Sequence, residues 1–134
     1  MRLSRPVSVR AQPERECTTM LIDWKSFLPK VKGSVAVLAE AAPETVGAYR
    51  QVCAADAKAG HLDAKTRELI SLAVAVTTRS DGCIAAHTKA AIELGAKREE
   101  IGEALSVAIA MNTGAAVGYA ARVMDAYTVL SAKD

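Results

Sequence analysis

Three side chains that can carry chemistry lie close together near the middle of the chain: Ser80, Cys83 and His87. Their spacings of three and four residues place all three on one side of an α-helix. A thiol one turn before an imidazole can give up its proton to the imidazole and become a nucleophilic thiolate. Glu68, the carboxylate that opens the apolar run ELISLAVAV, completes the set of candidate catalytic residues.

Ser80 predicts the start of a helix, because serine is a favourable N-cap residue. Cys83 is then in the first turn, where the helix dipole and the free backbone N–H groups favour an anion such as a thiolate. A purely structural interpretation stays open, with Ser80 as a cap, Cys83 as a small buried side chain and His87 as a hydrogen-bonded helix residue. The motif C-x-x-x-H does not by itself decide between the two.

Glu68 also has two interpretations. It lies about one turn inside a helix that Asp63 is predicted to cap, where the dipole favours a negative charge. The carboxylate is therefore either an exposed charge or a buried acid with a function. The pattern alone favours the exposed charge.

The elements that must position these residues are predicted to be helices. Their starts follow residues that open helices well: Asp23, Pro43, Asp63 and Ser80. Glycines end two of them, Gly60 and Gly95. The predicted helices are 24–31, 35–42, 43–58, 64–78, 81–94, 98–111 and 115–131.

Two predicted breaks and one ambiguous run decide how these helices are divided. Gly33 separates the first two, and Thr113 with Gly114 separates the last two. The run LAVAV also fits a strand, but the length and the cap of its segment favour a helix. This helix, 64–78, is apolar nearly all round and is therefore expected to be central.

The composition favours an all-α fold that packs through small side chains. Of the 134 residues, 51% are hydrophobic and only 4% aromatic, so Ala, Val, Leu and Ile must form the core. Alanine favours helix. One domain is expected over 20–134, after a poorly ordered extension over 1–19, with Met20 as an alternative start. So modest a core predicts that some helix faces are buried between subunits.

Charge and cysteine content exclude several classes of protein. The net charge of +2 resides in residues 1–19, so the neutral remainder lacks a footprint for nucleic acid. No stretch is expected to span a membrane. Three widely spaced cysteines without a CxxC pair form neither a disulfide framework nor a zinc site, and they indicate a cytoplasmic protein. We expect no metal and no other cofactor.

Three other reactive side chains have simpler interpretations. Cys17 is an incidental thiol in the N-terminal extension. Cys53 is predicted to be a small buried residue on the inner face of helix 43–58. His61 is interpreted as a solvated histidine in the next connection, although a role as ligand or base is an alternative.

Three runs of sequence, taken in order, resemble a known family. They are AKTRELISLAVAV, SDGCIAAHTKAAIELGAKREEIGEAL and, in the last helix, GYAARVMDAY. Together they resemble the AhpD-like alkylhydroperoxidase and carboxymuconolactone decarboxylase family over roughly residues 24–130. The resemblance implies a compact all-α bundle that assembles as trimers or hexamers, with sites near subunit contacts.

The resemblance also implies roles for the candidate residues. In the redox branch of the family, Glu68 and His87 match a proton relay that deprotonates Cys83, and the thiolate attacks a hydroperoxide. The first cysteine of that branch's CxxC pair falls on Ser80, which cannot form the disulfide. Cys83 then acts as a single-cysteine peroxidase resolved by an external thiol donor, or Cys53 resolves it if the fold brings the two together, or the redox cycle is lost.

Two other functions stay open at this point. One is a decarboxylase or isomerase of a small carboxylated lactone, in which His87 and Glu68 transfer protons. The presence of Cys83 argues against it, because that branch of the family generally lacks the cysteine. The other is a non-catalytic oligomeric binding protein, which predicts an unreactive Cys83.

Overall fold

A computed structural model describes residues 21–56, 58 and 60–132 of the chain. It contains five α-helices: α1 Trp24–Ala41, α2 Pro43–Asp56, α3 Ala64–Thr77, α4 Asp81–Glu93 and α5 Arg98–Leu130. No strand occurs among the described residues, so the all-α prediction is confirmed and LAVAV is helical. The predicted extension over 1–19, with Cys17, lies outside the described residues.

Helix α3 is the centre of the fold, as its apolar surface predicted, because it packs against both α4 and α5. Helix α4 returns antiparallel to α3 after a short turn in which Arg79 adopts a left-handed φ of 56°. Helix α5 runs parallel to α3. Lys65 is paired with Glu100 at one end, and Asn112 donates a hydrogen bond to Thr77 at the other. Helix α1 packs against α4 and also against α2.

Side-chain caps place the helix starts where the sequence predicts them. The Asp23 carboxylate accepts a hydrogen bond from the Ser26 N–H, and Asp63 accepts one from Thr66. Ser80 caps α4 in the same way. Two connections that follow helices contain glycines with positive φ, Gly60 at 74° and Gly95 at 79°, a conformation that glycine adopts readily.

Both predicted internal breaks are wrong. Helix α1 continues through Gly33 and also through Pro29, which lies just beyond the first turn and removes a single backbone hydrogen bond. Helix α5 continues through Thr113 and Gly114 as one helix of 33 residues. The Thr113 hydroxyl donates to the Ile109 carbonyl inside the helix, and alanines and methionine around this point are strong helix formers.

The core of the single chain is small and rich in alanine. Among the described residues, the buried hydrophobic ones are Val46, Leu72, Ala75, Ala85, Ala91 and Ala108. By contrast, every residue from Ile109 to Ala132 is exposed. In the single chain, the second half of α5 is therefore largely open to solvent.

The continuity of α5 changes one further prediction. Residues Arg98–Leu130 form one helix that is long and apolar enough, by length and composition, to cross a membrane. The predicted break would have divided this run into two helices that are each too short. The expectation that no stretch meets this criterion is therefore wrong.

Candidate active site

Glu68 and His87 meet between α3 and α4, although they lie nineteen residues apart in sequence. The Glu68 Oε2 atom is 2.7 Å from the His87 Nδ1 atom. The side chains of His87 and Glu68 are 35% and 22% exposed, so the pair is partly shielded from solvent. The interpretation of Glu68 as an exposed charge is therefore wrong.

The contact determines which nitrogen of His87 is free for chemistry. An ionised carboxylate can only accept hydrogen bonds, so Nδ1 carries the proton and donates it to Glu68. In the neutral imidazole, Nε2 is then the unprotonated nitrogen and can accept a proton. Glu68 thus orients the ring and stabilises the positive charge that forms when His87 takes a proton.

Cys83 lies one turn before His87 on α4, on the same side of the helix. Its backbone N–H donates to the Ser80 Oγ atom at 3.4 Å, so Ser80 is the N-cap that the sequence predicts. The Cys83 residue is partly buried. Its position in the first helical turn places the thiol where free backbone N–H groups favour a thiolate.

Helix α1 supports the start of α4 from behind. A Cβ atom on Gly82 would lie 3.4 Å from the Val31 Cγ1 atom, which is tight van der Waals contact. Val31 of α1 therefore lies directly beside the turn that carries Cys83. This close approach is one reason why the first turn of α4 is held in place.

Tyr49 on α2 is a residue of this region that the sequence interpretation missed. Its hydrogen bond to the Cys53 side chain raises the pKa of the Tyr49 hydroxyl, and the charges of Cys53 and Cys83 and partial burial act in the same direction. The phenol is therefore protonated at neutral pH, and its hydrogen-bond partner is Cys53. The signal was the i, i+4 spacing of Tyr49 and Cys53.

Cys53 itself is exposed, so the prediction that it is buried is wrong. It also cannot form a disulfide with Cys83 in this conformation. No Cα atom of α2 lies within 8 Å of a Cα atom of α4, whereas a disulfide needs a separation of about 4.4–6.8 Å. Resolution of Cys83 by Cys53 of the same chain would therefore require movement of the backbone.

An apolar groove of about 900 Å³ lies between α1 and α4, beside the candidate site. Its walls include Trp24, Leu28, Ile84 and Ile92, and Lys25 lies among its polar lining residues. Neither Cys83 nor His87 lines it. The candidate site is therefore separate from this groove.

The remaining reactive side chains do not join the site. His61 is exposed in the connection after α2, as the sequence predicts, and it lines a second, smaller hollow of about 280 Å³. Among the described residues, no three side chains of the His, Cys, Asp and Glu types come together as a set of metal ligands.

Comparison with known proteins places this geometry in a family. The profile of the carboxymuconolactone decarboxylase family matches residues 43–126. The chain belongs to this family. The match extends from the start of α2 into the distal part of α5, so it contains Tyr49, Glu68, Cys83 and His87 but leaves out α1. The family resemblance inferred from the sequence is thus confirmed.

Relatives and a solved structure agree with this assignment. An uncharacterized protein of Haemophilus influenzae is 48% identical over 113 residues, which are 84% of this chain and 100% of the relative. A second, from Cupriavidus necator, is 32% identical over the same shares of both chains. The crystal structure of an apo carboxymuconolactone decarboxylase family protein from Legionella pneumophila superposes with a TM-score of 0.62 at 32% identity, and it covers 81% of this chain and 97% of its own.

Proposed function

We propose that this member of the carboxymuconolactone decarboxylase family is a thiol-dependent hydroperoxidase with Cys83 as its nucleophile. The observation that carries the proposal is the 2.7 Å contact between Glu68 and His87, one helical turn from the thiol. An acid, a base and a nucleophile in this order are the parts that an activated thiol needs.

In the first step, the Nε2 atom of His87 accepts the Cys83 proton, directly or through one water, while Glu68 stabilises the imidazolium. The thiolate attacks the terminal oxygen of a hydroperoxide, so that an S–O bond forms and the O–O bond breaks. Sulfur is oxidised to a sulfenic acid, and the leaving alkoxide receives the proton from His87 and departs as an alcohol.

The enzyme is then regenerated by an external thiol. Ser80 occupies the place where a resolving thiol would lie, and Cys53 is out of disulfide reach. A small thiol condenses with the sulfenic acid, which forms a mixed disulfide and releases water. A second thiol reduces the mixed disulfide, which restores Cys83 and yields the oxidised donor.

The test is the rate of reduction of cumene hydroperoxide with dithiothreitol as donor. Cys83→Ser is expected to lower this rate at least 100-fold, because the nucleophile is removed. Cys53→Ser is the matched control and should stay within about twofold of the wild type. The proposal is wrong if the wild-type protein reduces no hydroperoxide with mono- or dithiol donors, or if Cys83→Ser keeps the rate.

A second measurement isolates the proton relay. In a background with Cys17 and Cys53 replaced by Ala, Cys83 should react with iodoacetamide at its full rate already near pH 6 to 7. An ordinary thiol needs a pH near about 8.5 for half of it to react as thiolate. His87→Ala should move the profile to that ordinary range. An identical profile in both proteins would contradict the relay.

The alternative function is a decarboxylase or isomerase of a small carboxylated lactone. The Glu68–His87 pair favours it, because the pair is a complete proton-transfer unit without the thiol. This function predicts turnover of such lactones that survives Cys83→Ser and falls about 10²–10⁴-fold in His87→Gln. A binding protein without turnover would show neither activity.

The proposal includes the setting of the enzyme. We infer a cytoplasmic protein, since a reduced Cys83 needs a reducing compartment and a supply of thiol. We also infer a homotrimer or homohexamer without nucleic acid or membrane partners. Equilibrium sedimentation of the purified protein measures the number of chains directly.

A further inference from the structure

The groove between α1 and α4 is an apolar space of the size that small ligands occupy. Trp24 and Leu28 of α1 form one wall, and Ile84, Ala85 and Ile92 of α4 belong to the other. Its volume of about 900 Å³ falls within the range of roughly 300–1,000 Å³ that is usual for small-molecule sites. Trp24, Leu28 and Ile84 are only partly buried in the single chain, so the space is open to a ligand.

The two helices run in opposite directions along the groove. Val31 lies beside Gly82 at the start of α4. From this point, the apolar lining residues precede Val31 on α1 and follow Gly82 on α4. Lys32 therefore lies at the Gly82 end of the groove. The wall from Ile84 to Ile92 is roughly 12 Å long, which matches about ten bonds of an extended chain.

Positive charge is concentrated at the edge of this apolar space. The charged lining residues are three lysines and one glutamate: Lys25, Lys32, Lys89 and Glu93. Lys89 and Glu93 form an ion pair with each other. Within the described part of the chain, neither Lys25 nor Lys32 has an ion-pair partner. Glu93 lies at the end remote from Gly82, so the positive charge of Lys32 is the one least compensated by a lining carboxylate.

An apolar groove with a free cation at one end fits a molecule that has an anionic head and a hydrocarbon tail. We propose that the groove binds a single-chain fatty acid of about ten carbons, with its carboxylate at the Lys32 Nζ atom. The exposed Lys32 ammonium keeps the head group at the solvent edge, while the lysine stem lies along the apolar wall. The tail occupies the space between Leu28 and Ile92, and this removes apolar surface of both partners from water.

Two other occupants fit the groove less well. Residues 1–19 directly precede the region of α1, but they carry four arginines and two glutamates, so the lysines of the groove repel them. A lipid bilayer attracts lysines when it is anionic, but its surface contacts protruding side chains. Here the apolar side chains line a recess between two helices. A single tail from solution reaches them.

The proposed site does not depend on the reaction at Cys83. Neither Cys83 nor His87 lines the groove. Cys83→Ser should therefore bind the fatty acid as tightly as the wild type does, whether or not the protein reduces hydroperoxides. Failure of fatty-acid binding and failure of the hydroperoxidase activity are thus separate results.

The test is isothermal titration calorimetry of the full-length protein with sodium decanoate below its micelle concentration. One decanoate should bind per chain with a dissociation constant at or below about 100 µM. Lys32→Met should weaken binding at least tenfold, because it removes the cation and keeps the apolar stem. Lys30→Met is the matched control, since it removes a lysine of the same helix that does not line the groove, and it should stay within about twofold.

Two further comparisons test the head group and the apolar wall. Decanol has the same tail without the charge and should bind at least tenfold more weakly than decanoate. Ile92→Ser should weaken decanoate binding at least about fivefold. Ile109→Ser removes an isoleucine of similar exposure, 66% against 61%, that lies outside the groove, and it should have little effect.

Four results would overturn the proposal. Decanoate could show no saturable binding up to 1 mM. Decanol could bind as tightly as decanoate. Lys30→Met could lose as much affinity as Lys32→Met. The protein could float with anionic phospholipid vesicles and bind no decanoate, which would assign the lysines to a membrane surface. Circular dichroism of each variant separates loss of binding from loss of folding.

Discussion

At the scale of single residues, the Glu68 carboxylate determines how His87 can act. By occupying Nδ1 at 2.7 Å, it leaves Nε2 as the only ring nitrogen that can exchange a proton with Cys83 or a substrate. The remaining question at this scale concerns Ser80, which caps α4 through the Cys83 N–H and lies where the family's redox branch has a second thiol.

Ser80→Cys should convert the single thiol into a reactive pair. Residues three apart in the first turn of a helix lie within the Cα separation of about 4.4–6.8 Å that a disulfide spans. In a background without Cys17 and Cys53, one equivalent of hydroperoxide should then remove both thiols, as counted with Ellman's reagent, and dithiothreitol should restore both.

Ser80→Ala is the control for that substitution. It should keep one oxidisable thiol and lower the free energy of unfolding by about 1 kcal/mol through loss of the cap. If Ser80→Cys instead forms sulfinic acid and no disulfide, the two positions do not act as a pair.

The candidate residues could be predicted from the sequence, but their contact could not. Cys83 and His87 lie on the same helix, so their spacing of four residues by itself predicts that their side chains are close together. Glu68 lies on another helix, and its distance from His87 depends on the turn that joins α3 to α4, where Arg79 has a positive φ. The hydrogen bond of Tyr49 to Cys53 is local, by contrast, because the two residues lie four apart on α2.

At the scale of elements, the helix starts were predictable and the helix interiors were not. A cap is a local hydrogen bond between near neighbours, as at Asp63 and Thr66, and the sequence contains both partners. Gly114 is unfavourable in a helix by only about 1 kcal/mol, which its neighbours outweigh. The predicted break in α5 therefore failed because the unfavourable propensity of single residues was given too much weight.

Substitution of Leu72 tests how much the packing of α3 against its neighbours stabilises the fold. It is 2% exposed on the central helix, so Leu72→Ala should lower the free energy of unfolding by about 2–5 kcal/mol. Ile70→Ala removes a side chain of equal size that is 49% exposed and should have a much smaller effect. Urea denaturation of both variants tests the comparison, which fails if the two losses are equal.

The ion pair between α3 and α5 predicts a pH dependence. The Lys65 ammonium, and then the Lys97 N–H, lower the pKa of Glu100, while Glu100 raises the pKa of Lys65. Glu100 therefore contributes to the free energy of unfolding at a pH above its unfolded-state pKa of about 4.3. This contribution is lost as the pH falls through the folded-state pKa. Lys65 contributes to the free energy of unfolding at a pH below its unfolded-state pKa of about 10.4. This contribution is lost as the pH rises through the folded-state pKa.

Lys65→Met removes this pair without removing its aliphatic stem. The variant should unfold at lower urea concentration than the wild type at pH 7, and the difference should shrink as the pH falls below about 4 or as salt rises to 1 M. The effect should be small because both side chains are about one-third exposed. A difference that is constant from pH 3 to 7 would contradict the assignment.

At the scale of the whole molecule, the described part of the chain buries few hydrophobic side chains and leaves many exposed. Six hydrophobic residues are buried among those that the structure describes, while tyrosines, valines and methionines of α5 face solvent. The low aromatic content predicted this modest core, but which surface stays uncovered depended on the true length of α5. Composition thus indicated a small core, and only the three-dimensional arrangement showed that the second half of α5 is exposed.

Association predicts that thermal stability depends on protein concentration. If folded chains assemble and unfolded chains do not, the midpoint of thermal unfolding should rise between 1 and 100 µM in the wild type. Scanning calorimetry at several concentrations measures the effect, and a midpoint that does not move in the wild type would contradict it.

The groove between α1 and α4 has an optical consequence, because Trp24 in its wall is the only tryptophan of the 134 residues. Indole fluorescence shifts to shorter wavelength when water leaves its surroundings. The intrinsic fluorescence of the unlabelled protein therefore measures the exposure of this groove to water. Binding of another chain or of a small apolar compound in the groove will therefore shift the wavelength of the Trp24 emission, without an added label.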